Sequence, residues 1–138
     1  MELNNLPPGR LRPEIFDGNV YTLYKRSDGI MQVLFKPGTS IEPADIERLI
    51  ETVQKIKLPG KFPLLVVFGE DSTVSVETRE LMASERIAGI ITASALVANG
   101  MALELLLKGY IRINQPVNPV KLFRSAETAV QWLRQVSR

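Results

Sequence analysis

Two apolar runs of strand length, "KFPLLVVFG" at 61–69 and "GIITASALVA" at 89–98, restrict most tightly what this chain can fold into. Apolar side chains that continue along a whole strand need cover on both faces of the sheet, which places both runs near its centre. The neighbouring segments supply that cover. After Pro43, the residues Ile46, Leu49, Ile50, Val53 and Ile56 follow helical spacing, and Pro59-Gly60 ends the pattern. Ser75 can cap a second helix over 76–87, with Glu77 and Glu80 near its positive end and Gly89 as the stop. Asn99 is placed to cap a third, apolar helix containing Leu103, Leu106 and Leu107. A short strand, "VKLF" at 120–123, precedes a last helix capped by Ser125. There Ala129, Val130, Leu133 and Val136 share a face, with Trp132 beside it. Upstream, "NVYTLYKRSDGIMQVLFK" reads as a hairpin turning at Ser27-Asp28-Gly29. The predicted order is β-β-α-β-α-β-α-β-α. It describes an α/β fold with a mixed, mostly parallel sheet, an N-terminal antiparallel hairpin and about four helices. The 138 residues fit one domain, 1–138, with an irregular proline-containing arm over 1–13.

The composition narrows the chemistry. The chain has neither histidine nor cysteine. The usual general base, the Ser-His-Asp and Cys-His arrangements, and thiolate or imidazole metal sites are therefore excluded. Glu70 with Asp71, and Glu77 with Glu80, sit in a polar loop or a first helical turn. Solvation and the helix dipole account for them there, whereas acid–base work needs burial or coupling. "NGMALELLLKG" lacks the Lys-Ser/Thr of a phosphate loop. A non-enzymatic protein without cofactor or metal is expected. A formal charge of +2, from 17 basic and 15 acidic residues without a cluster, gives no footprint for nucleic acid. The apolar stretch 89–107 approaches the length of a membrane span, but Asn99-Gly100, Thr92, Ser94 and Glu104 interrupt it. The polar opening Met1 to Arg10 does not resemble a signal peptide, so a cytoplasmic protein with no transmembrane segment is expected.

The segment 101–110 is apolar nearly all round. Met101, Leu103, Leu105, Leu106, Leu107 and Tyr110 surround its axis and leave Glu104 and Lys108 as a narrow charged stripe. A helix of this kind needs cover on more than one side. The following segment 110–119, a second copy of the chain, or an apolar ligand or bilayer surface could each provide it. Met101, Leu105, Leu107 and Tyr110 are accordingly the expected interface or apolar-ligand surface.

"VSVETRELMASE", "IAGIITASALVAN" and "INQPVNPVKLFRSAETAVQWL" together resemble a bacterial STAS-like family of uncharacterised domains, some named STAS/SEC14-like. The resemblance covers roughly residues 20–136 and implies the fold of the anti-anti-sigma regulator SpoIIAA. It carries no catalytic residues with it. It implies a regulatory or protein–protein interaction module with an unidentified protein partner, to which the apolar helix over 101–110 adds self-association as a homodimer. The alternative it implies is a binder of a lipid or other apolar small molecule. True STAS regulators place an Asp-Ser pair after a central strand and are phosphorylated on that serine, beside a helix end. Asp71-Ser72 is similar to that pair and makes Ser72 the candidate switch, although Thr73-Val74 then separates it from Ser75.

Overall fold

The computed structural model describes residues 15–56 and 58–136; the expected arm over 1–13 lies outside them. Six strands form the main sheet: β1 (Ile15–Asp17), β2 (Tyr21–Lys25), β3 (Met31–Phe35), β5 (Phe62–Phe68), β7 (Ile91–Val97) and β8 (Val120–Phe123), adjacent in that order. β1, β2 and β3 pair antiparallel, while β3–β5, β5–β7 and β7–β8 are parallel. The expected hairpin is thus the inner part of a three-stranded antiparallel edge. Two short strands, β4 (Ser40–Ile41) and β6 (Thr73–Val74), form a separate parallel ladder. Gly69 holds the corner leading into it. A Cβ there would sit 2.4 Å from the Pro37 nitrogen, so only glycine lets the two chain segments approach so closely.

Helix α1 (Pro43–Ile56) begins with one half of a capping box: the Asp45 carboxylate accepts the Glu42 amide at 2.9 Å. The helix expected over 76–87 is two helices. α2 (Val76–Met82) ends at Ala83, and the Ser84 hydroxyl then accepts the Ile87 amide to start α3 (Glu85–Ala88). A serine that can cap competes with helix continuation, which explains the break. The caps assigned to Ser75 and Ser125 are present, accepting the amides of Thr78 and Thr128. The cap assigned to Asn99 is not: Gly100, at φ +107°, occupies that position and no side chain caps α4 (Met101–Gly109). A π-helical turn, Tyr110–Asn114, extends α4, and α5 (Ala126–Val136) closes the fold.

The sheet separates two cores. On one face α5 is the one described helix that packs on β5 and β7, where Ala129 and Leu133 meet Ile30, Leu65, Ala93 and Ala95. The remaining helices cover the other face. A β-bulge changes the facing of β7. Two residue steps on β5, from Phe62 to Leu64, oppose three on β7, from Ile91 to Ser94. Ile91 therefore joins the α1 side while Ala93 and Ala95 join the α5 side. The Asn118 amide donates to the carbonyls of Ala88, Ile91 and Thr92, which satisfies backbone groups around the bulge.

Candidate functional site

The two faces are packed differently, and the difference creates a site. Small residues on β7 and α5 let those backbones come close, and Ala129 and Leu133 are 0% exposed. The other face offers Phe35, Phe62, Leu64 and Val66 and no small residue beneath α1. There α1 meets the sheet through long side chains, without the close backbone approach that α5 makes to β7. Its inward residues Ile46, Leu49, Ile50 and Val53 keep between 7% and 9% exposure, as does Val130 of α5. The gap beneath them is a crevice of about 90 Å³, floored by β3 and β5 and walled by Met82, Ile87, Ile90 and Ile91. Among the described residues no polar side chain lines it. A wider groove of about 400 Å³ adjoins it and shares Val53, Phe62 and Ile90; among the described residues Gln54 and Lys61 supply its polar side chains.

The structure disperses the residues singled out from the sequence. Leu107 and Tyr110 belong to the core of the chain itself: both are buried, and burial pushes the Tyr110 hydroxyl pKa up. They do not contribute to an exposed surface, which corrects that expectation. Met101 and Leu105 are exposed, at 79% and 62%, together with Ile113 at 80%. Segment 110–119 therefore does not cover that side of α4.

Ser72 is buried. Its hydroxyl donates to the Lys36 carbonyl at 3.3 Å, and it leads into β6, with Ser75 at the helix start instead. A kinase reaches that hydroxyl only if the turn opens.

Two carboxylates are shifted, both downward. Partial burial acts to raise the Asp28 pKa, but hydrogen bonds from Arg26, the Ile30 amide and Arg134 outweigh it and hold it low. The hydrogen bonds from Arg86 likewise hold Glu47 low. Both shifts favour the carboxylate, and neither prepares a general acid. Among the described residues no helix is long and apolar enough to cross a membrane; the stretch 89–107 is divided between β7 and α4.

The crevice was missed from sequence because its lining residues look like ordinary core. Its signal was indirect, in the contrast between the alanines of β7 that face α5 and the bulky residues beneath α1.

Helices on both faces of this mixed sheet give the chain a SpoIIAA-like fold. It is similar to the crystal structure of an uncharacterised protein of the DUF3478 family with a SpoIIAA-like fold from Shewanella loihica PV-4. The TM-score is 0.54 at 13% identity, covering 88% of this chain and 91% of that one. Residues 24–137 match the domain of unknown function DUF7793, and the chain belongs to that family. No curated protein matches it.

Proposed function

We propose that the protein is a non-enzymatic, cytoplasmic binding module that receives an apolar small molecule in the crevice beneath α1. The observation carrying this reading is the crevice itself, about 90 Å³ of space that no polar side chain among the described residues lines. Empty apolar space forfeits dispersion contacts, and a hydrocarbon group entering it restores them while leaving water. Apolar cavities of about 150 Å³ stay dry and take benzene. This smaller, partly open crevice suits the end of an alkyl chain better than a whole ring. The lack of histidine and cysteine in the sequence supports binding over catalysis. Ligand binding raises the melting temperature through mass action. Wild-type protein should therefore melt higher as n-octanol is added, whereas Val53→Phe, which puts a ring into the crevice, should not respond. Equal responses from the two would remove the crevice as the site.

The exposed stripe of Met101, Leu105 and Ile113 supports a second reading, in which the module also contacts a protein partner or pairs as a homodimer. Under that reading Leu105→Glu converts a dimer into a folded monomer. Sedimentation of the wild type as a monomer at about 50 μM, a concentration at which micromolar affinity populates the dimer, contradicts pairing.

A further inference from the structure

We infer that the molecule bound beneath α1 is an aliphatic carboxylate, with its chain end in the crevice and its head group in the adjoining groove beside Lys61. This rests on the crevice being a ligand site and adds the chemistry of the head. Three observations carry it. The crevice and the groove share Val53, Phe62 and Ile90, so one elongated molecule can occupy both. Polarity changes along that path: the narrow end presents aliphatic and aromatic side chains, and the wide end adds Gln54 and Lys61. Lys61 is also the only charged side chain among the described residues lining either space, and no carboxylate lines them.

That pattern selects a ligand by its two ends. The walls around Ile50 and Ile87 offer no hydrogen bond, so a polar group pushed among them would lose its water without compensation. A head group left in the groove keeps its hydration and meets one positive charge. An ammonium head would meet the same charge as repulsion. A neutral head would gain only what Gln54 and water offer. The Lys61 ammonium stays solvated, so the discrimination is modest and salt-sensitive.

Three probes with one chain length test this: octanoate, n-octanol and octyltrimethylammonium, titrated at low ionic strength into the wild type and Lys61→Glu. Lys61 is exposed, so the substitution leaves the fold intact. In the wild type octanoate should bind about fivefold more tightly than octyltrimethylammonium, with n-octanol between them. In Lys61→Glu the order of the charged pair should reverse while n-octanol is unchanged. Equal binding of the two charged probes, or an order that survives Lys61→Glu, overturns the carboxylate assignment and leaves the apolar crevice standing. Failure of all three probes to bind overturns the crevice as well.

Discussion

Replacing Val53 by isoleucine adds one methylene at a position where the structure has room for it. Val53 lies on the inward face of α1 and lines a crevice of about 90 Å³. That is well above the roughly 10–15 Å³ that a cavity needs to hold one water molecule. Valine and isoleucine are both branched at Cβ, so the helix is little affected by the exchange. A fully buried methylene contributes about 0.8 kcal/mol. For a domain of this size such a gain raises the melting midpoint by about 2–5 °C. The control is Ala129→Val on the other face, where α5 lies against β7 and Ala129 has no exposed surface. Overpacking there should cost about 1–3 kcal/mol. Calorimetry on the two variants and the wild type compares the two cores directly. If Val53→Ile lowers the midpoint as Ala129→Val does, α1 sits on a filled core and the packing argument fails.

Leu133→Ala, at the centre of the α5 contact, should lose about 2–5 kcal/mol in denaturant unfolding; an unchanged midpoint would mean that α5 does not dock. Ser75→Ala should lose about 1 kcal/mol, because the Thr78 amide loses its acceptor and the Thr78 hydroxyl loses a neighbour at 2.7 Å. Acid titration reads Asp28. Its pKa is lower in the folded state, so its contribution is present above the unfolded value near 4 and is lost as pH falls through the lower folded value. Asp28→Asn should therefore flatten the loss of stability below about pH 4 and release Arg134 of α5 from the β2–β3 turn.

The parts of the fold legible in the sequence are those whose signal is local or strictly periodic. Strands β5 and β7 stood out because both their faces are buried, and the serines at 75 and 125 because a cap needs only its own side chain and the next turn. β4 and β6, two residues each, are too short to show alternation. The break at Ser84 was hidden because its neighbours are themselves good helix formers. Leu107 and Tyr110 shared an apolar helix with Met101 and Leu105, and composition could not say which of the four face inward. The crevice depends on the distance between a helix and a sheet. That distance is set by residues far apart in the chain, with Ala93, Ala95 and Ala129 drawing α5 close on one face and the bulky floor beneath α1 on the other.

Methyl NMR of isoleucine-labelled protein during an n-octanol titration tests most directly whether the crevice is a binding site. Ile46, Ile50, Ile87, Ile90 and Ile91 line it, Ile30 lies in the core under α5, and Ile113 lies on the exposed stripe. The account predicts saturable shifts for the first five, with Ile30 and Ile113 unmoved. Saturable shifts confined to Ile113, or no saturable shift at any isoleucine, would contradict it.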